Sequence, residues 1–357
     1  MRVVSYQGPK SFRLDDIADP ELASGEVRLQ VEACGVCGTD VRIYKGEHSA
    51  YEHATGRVPG HEIVGRIVEI SVSTQMDDLA IGDRVFVAPN IGCGACAQCA
   101  SGNENLCRRT EGIGITRDGA FADHLVVPSR AVERGNLIAL DPALDPATGT
   151  LIEPLACVLR GQQKVHVGLG DSVFVAGGGP VGLLHVALAK ASGASLIICS
   201  EPSEPRRQAA IRAGADHVID PMAGDPVELA ADLTGGIGLD VVITAAPIHA
   251  IQTSAIELAG RGGRVLFFGG LPKSRPTVEI DTNIIHYREL LIAGTTASTN
   301  QNCREAAALI NAGVLSLDWM VSDIVALEDF AGAIDKVQDA TALKVVLAPT
   351  SDGKATT

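Results

Sequence analysis

Over the first 150 residues, short apolar runs alternate with Gly, Pro and Asp clusters. The runs include 27–34 (VRLQVEAC), 62–70 (EIVGRIVEI) and 83–89 (DRVFVAP). This spacing predicts a β-rich, loop-rich region. Near residue 150 the pattern changes. A buried-strand run at 171–177 (DSVFVAG) is followed by a helical stretch at 180–194. Strand runs then recur at 196–201, 217–220, 240–245, 264–269 and 290–294, with helices expected at 205–213, near 226–234 and at 249–259. Six short apolar runs separated by helices predict an α/β fold with a doubly wound parallel sheet. The last segment offers helices at 303–313 and 328–337 and a closing strand at 342–349 (ALKVVLAP). It is too small to bury a core of its own. The expected division is therefore a first domain at 1–153, completed by the return of 295–357, and a doubly wound domain at 154–294.

Composition narrows the function classes. Of 357 residues, 46% are hydrophobic and 20% charged, as in a packed globular chain. With 29 basic and 43 acidic residues the net charge is −14, which repels nucleic acid and anionic lipid, so neither is an expected partner. No apolar run suits a signal peptide or a membrane span, and the expected location is the cytoplasm. Nine cysteines, an odd number without a secretory signal, point to metal ligation or core filling rather than disulfides. Cys34, Cys157, Cys199 and Cys303, in apolar or helical surroundings, read as small core hydrophobes.

Gly177-Gly178-Gly179-Pro180-Val181-Gly182 fits the dinucleotide fingerprint G-x-G-x-x-G between a strand and a helix. Gly177 suits the tight turn, Gly179 the approach of a pyrophosphate, and Gly182 close helix–strand packing. Pro180 and Val181 open the helix whose free N–H groups would face the phosphates. Glu201, 19 residues beyond Gly182, stands where a ribose 2′-hydroxyl needs an acceptor, and its charge favours NAD over NADP. Arg206 lies close behind it, where it could hold a 2′-phosphate, stack on adenine or lie on the helix surface. Gly269, Gly270 and Thr295 follow strands whose carboxyl ends face the cofactor in such folds, and are expected to touch it.

Two groups of residues suit metals. Cys93, Cys96, Cys99 and Cys107 lie within fifteen residues in GCGACAQCASGNENLC, a spacing that closes around one tetrahedral zinc. The ferredoxin spacing differs, wanting three residues before the last Cys and Pro after it, where this chain has seven and Arg108. Four thiolates leave no open position, so this site is structural. Cys37 in GVCGTD, His61 and Glu62 in PGHEIVG, and Glu153 in LIEPLA could together make an open zinc site. Sequence spacing alone does not bring them together.

In their order along the chain, these motifs resemble those of the zinc-containing medium-chain alcohol dehydrogenases. Within that family the chain looks most like the polyol branch of sorbitol and L-iditol dehydrogenases, with threonine dehydrogenase near. The pointer is Glu153, where liver-type members carry Cys. The resemblance implies a GroES-like β-rich catalytic domain plus a doubly wound Rossmann domain, with two zinc ions per chain, one catalytic and one structural. It implies hydride transfer from a secondary alcohol of a polyol to NAD, with NADP less favoured, and a homo-oligomer, dimer or tetramer. Cys37, His61 and Glu153 would hold the catalytic zinc, with Glu62 an alternative ligand or a support. Asp40 would orient His61, and Thr39 would contact the substrate oxygen and pass its proton outward. Arg42 occupies the place of the relay histidine found in many relatives and cannot deprotonate near neutral pH, and His48 is a weak substitute. Other readings are an L-threonine dehydrogenase, a polyol-phosphate dehydrogenase using Arg42, Lys45 or Arg288, and a catalytically silent nucleotide-binding protein.

Overall fold

The computed structural model describes residues 1–349 apart from 73 and 75–77. The chain forms two compact units, one of Met1–Ala156 with Ala297–Thr357 and one of Cys157–Thr296.

The first unit is built on a sheet whose central strand is Val27–Val36. That strand pairs antiparallel with Glu62–Ile70 on one side and with the late strand Lys344–Leu347 on the other. Beyond Glu62–Ile70 lie Arg84–Val87 and Leu137–Ala139, and Val321–Val325 forms the far edge beside Lys344–Leu347. Alternation along Val27–Val36 turns Val27, Leu29 and Val31 into the core, where they meet Ile63, Ile67, Val85, Phe121 and Phe330. The return of the chain thus supplies an interior strand, Lys344–Leu347, buried along its whole length. A hairpin of Arg2–Gly8 and Ser11–Asp16 was not legible in the sequence, because its second strand is mostly polar and exposed.

The second unit is the doubly wound sheet. Its six parallel strands run in the order His217–Ile219, Leu196–Ser200, Ser172–Ala176, Leu239–Thr244, Ala259–Phe267, Leu291–Gly294. The order reverses beside Ser172–Ala176, which places the switch point next to the glycine turn that follows it. Helices Pro180–Ala191, Glu204–Ala213, Pro226–Leu233 and His249–Leu258 connect the strands. Local chemistry sets their ends. Asp225 caps Pro226–Leu233 by accepting the Val227 N–H at 2.9 Å, and Gly214 closes Glu204–Ala213 in the left-handed region. The strand expected at 264–269 starts earlier, at Ala259. Its glycines permit this, since Gly260 packs directly against the Gly238 backbone. No helix among the described residues is long and apolar enough to cross a membrane.

Candidate active site

Cys37 directly follows the central strand and caps the short helix Gly38–Tyr44, where its backbone N–H donates to Asp40 Oδ2 at 2.9 Å. Glu62 begins the adjacent strand, and His61 stands immediately before it. Gly60, at φ +98°, turns the chain there, and a side chain on it would strike Phe121 and Cys34. Register puts Glu62 opposite Gly35, and a Cβ at Gly35 would fall on the Glu62 carboxylate, so glycine is what leaves room for it. Ligand atoms of Cys37, His61 and Glu62 all lie within 4.8 Å of one another.

The surroundings favour a cation. Asp40 and Glu62 are both fully buried, and Asp40 Oδ1 stands 3.6 Å from His61 Nδ1. That separation is longer than an ordinary hydrogen bond, and the other Asp40 oxygen serves the helix cap. Burial works against a charged His61, but Asp40 and Cys37 outweigh it and push its pKa well up. Asp40 Oδ1, His61 Nδ1 and Glu62 Oε1 are buried without a hydrogen-bond partner among the described residues. Converged thiol, imidazole and carboxylate donors with an unspent oxygen fit a zinc ion. Glu153, buried in the first turn of helix Ile152–Lys164, lies outside the converged trio, although its charge is felt by Lys344.

Lys344 is the member of this site that sequence reasoning missed. Its ammonium is buried and paired with Glu62 Oε2, and it also donates to Val36 O at 3.4 Å. Burial opposes its charge, yet Glu62 and Cys37 hold its pKa up. The available signal was one cation inside the apolar run ALKVVLAP. Thr39 is half-buried in the first turn of Gly38–Tyr44, and Arg42 points from the exposed side of that helix. His48 Nδ1 accepts the Ala50 N–H at 3.3 Å, a local cap.

Cys93, Cys96, Cys99 and Cys107 form a second converged group, with Cys96 and Cys99 sulfurs 3.6 Å apart. Backbone N–H groups aim at these sulfurs. The amide of Ala95 leads in lowering Cys93 to about 5, while burial raises Cys99 to about 11. Arg109 adds a contact from its guanidinium to Cys93 Sγ at 3.2 Å. Four thiols with amide donors already turned towards them suit a closed zinc site.

In the second unit the glycine turn takes the expected shape. Gly177 lies at φ +110°, a Cβ on Gly182 would collide with the Gly177 carbonyl, and Gly179 caps helix Pro180–Ala191 without a side chain over its amides. Val181 sits half-buried in the first turn. Glu201 is buried at the end of the next strand, where its carboxylate accepts the N–H of Gly178 at 2.7 Å and of Ser203 at 3.0 Å. Arg206 Nη1 lies 3.9 Å from where a Gly179 Cβ would be. Gly269 packs on the Ala246 backbone, Gly270 faces open space, and Thr295 Oγ1 is buried without a hydrogen-bond partner among the described residues. Arg288 is a poor phosphate ligand. It donates to the carbonyls of Glu257 and Ala259 at the amino end of a strand, opposite the glycine turn.

Comparison with known proteins accords with this geometry. The family model "Alcohol dehydrogenase GroES-like domain" matches residues 23–135 and "Zinc-binding dehydrogenase" matches 180–312. The L-threonine 3-dehydrogenase of Thermococcus kodakarensis is 32% identical over 94% of both chains. The chain belongs to the zinc-containing medium-chain dehydrogenase family. The erythritol/L-threitol dehydrogenase of Mycolicibacterium smegmatis is 30% identical to this dehydrogenase over 98% of both chains. A zinc-binding dehydrogenase from Sinorhizobium meliloti 1021, solved bound to NADP, superposes with a TM-score of 0.90 at 34% identity, covering 98% of this chain and 99% of its own. The protein is an oxidoreductase with the GroES-like and Rossmann architecture of its relatives.

Proposed function

We propose that this dehydrogenase oxidises a secondary alcohol of a small polyol to the ketone, using NAD⁺. The observation that carries the reading is the convergence of Cys37, His61 and Glu62, with a carboxylate where a second thiolate could stand. In this reading the unit of Met1–Ala156 and Ala297–Thr357 is catalytic, and Cys157–Thr296 holds the dinucleotide. Cys37, His61 and Glu62 hold the catalytic zinc, Glu153 stands by as a further carboxylate, and Cys93, Cys96, Cys99 and Cys107 hold the structural one.

When bound, zinc polarises the alcohol oxygen and the nicotinamide accepts the hydride. The chain's own groups do the rest. Cys37 and Glu62 carry the negative charge that retains the metal, and a hard carboxylate donor suits an oxygen-rich substrate. Thr39 takes the hydroxyl proton onto its Oγ1 and passes its own to water, since Arg42 cannot deprotonate near neutral pH. Glu201 receives the adenosine ribose and repels a 2′-phosphate. Gly177, Gly179, Pro180, Val181 and Gly182 cradle the pyrophosphate. Arg206, Gly269, Gly270 and Thr295 complete the cofactor contacts.

A second reading, oxidation of L-threonine, is favoured by the likeness to the Thermococcus enzyme. The NADP in the Sinorhizobium relative likewise requires both cofactors to be compared. Reduction of NAD⁺ and NADP⁺ should be followed by absorbance against polyols, polyol phosphates and L-threonine, for the wild type and Cys37→Ala. Turnover on polyols with NAD⁺, lost in the variant, is expected. Turnover on L-threonine alone would replace the substrate, and silence across the panel in zinc-replete protein would remove the reading.

A further inference from the structure

We propose that Lys344 is a positioning residue of the metal centre, gripping one oxygen of Glu62 so that the other alone is offered to the ion. The inference rests on the reading of Glu62 as a zinc ligand.

Three features of the first unit converge on this role. The closing strand runs antiparallel to the central one with Val345 opposite Val36 and Val346 opposite Gly35, which sets Lys344 at the level of Cys37. Its Nζ pairs with Glu62 Oε2 in a setting where both side chains are almost wholly excluded from solvent, 5% and 1% exposed. Glu62 Oε1 is equally buried and has no hydrogen-bond partner among the described residues. The carboxylate is thus divided, with one oxygen spent on the ammonium and one left over beside Cys37 and His61.

A buried lysine is kept in a fold only where its charge is matched. Here the match is a residue 282 positions away, reached through a glycine that leaves the space. The second acceptor, Val36 O, fixes the ammonium from the strand that leads into Cys37. Freed of Lys344, Glu62 could rotate, present both oxygens or turn away, and the donor set would no longer be held ready for the metal. Outer partners of this kind commonly account for 10- to 100-fold in metal affinity.

The test uses the full-length protein with zinc and cobalt as probes. Zinc content and the affinity of the weaker site are measured by chelator competition in the wild type, Lys344→Met, Glu62→Gln and the double variant. The visible spectrum of the Co²⁺-substituted protein reports the ligand set independently of turnover. Lys344→Met should weaken zinc at the Cys37 site about 10- to 100-fold, shift the Co²⁺ bands and leave the four-cysteine zinc in place. Lys344→Arg should recover part of the affinity, and Lys344→Met should add nothing in the Glu62→Gln background. Should the Met variant not fold, Lys344→Gln carries the same expectation. Unchanged or tighter zinc binding with an unchanged spectrum in Lys344→Met would overturn the inference, as would a full additional loss in the double variant. Wild-type affinity in Glu62→Gln is a different result, for it removes Glu62 as a ligand and takes this role with it.

Discussion

The two groups of candidate metal ligands lie in the same unit and are built in opposite ways. The four cysteines come from one stretch of fifteen residues, remain near the surface, and draw their polar support from amides of that same loop. Cys37, His61 and Glu62 come from a strand end, a glycine turn and a neighbouring strand, with buried charges from Asp40 and Lys344 around them. The first site can form from its own segment once a metal arrives. The second exists only after a sheet has brought residues 37, 62 and 344 into register. On the proposed reading, zinc in the loop serves stability, while the assembled site can keep an open position for chemistry.

The strongest way to break that contrast is Cys37→Ala. Zinc should fall from two ions per chain to one, and turnover should drop by more than the roughly 100-fold seen for outer partners. Metal analysis beside steady-state kinetics checks both, and a variant that still turns over normally would remove Cys37 from the centre. Cys99→Ser should do the converse. The loop zinc is lost and melting falls on the order of 6–12 °C, corresponding to about 3 kcal/mol, while activity per folded molecule persists. Equal loss of activity and stability in both variants would mean that the clusters are not separable.

Gly182→Ala probes the other unit. The added methyl meets the Gly177 carbonyl, so about 1–3 kcal/mol of stability and a large part of dinucleotide affinity should go, with both zincs retained. Calorimetry and NAD⁺ titration read the two effects, and undiminished affinity would show that the turn can relax.

The smallest effect compares two buried imidazoles. His61 is pushed towards charge by Asp40 and Cys37, whereas His185, wholly buried against Gln162 and Phe268, is lowered by burial to about 3. A neutral His185 favours the folded state fully above its unfolded pKa of about 6.5. This contribution is lost as pH falls from there towards about 3, amounting to about 2 kcal/mol by pH 5. His185→Gln should flatten the fall in melting temperature between pH 7 and pH 5. An unaltered slope would place the titrating group elsewhere.

Local patterns were legible where the physics is local. The six strands of the parallel sheet, the glycine turn with Glu201 behind it, and the cysteine loop each depend on neighbours in sequence. Helix Gly38–Tyr44 escaped notice because a seven-residue helix opening on Gly has little propensity of its own and is held by Asp40 at its cap. Asp40 divides its two oxygens, Oδ2 holding the helix cap and Oδ1 facing His61 at 3.6 Å, an arrangement that no spacing encodes.

By itself, then, the sequence determined the α/β class, the dinucleotide turn and the closed four-thiol loop, because periodicity, glycine geometry and ligand spacing act over a few residues. Only the tertiary structure decided that Glu62 joins Cys37 and His61 while Glu153 stays outside the trio, and that Lys344 holds Glu62 from the far end of the chain. Those outcomes depend on strand register and on which buried charge finds a partner, and both are settled only when distant segments share one sheet.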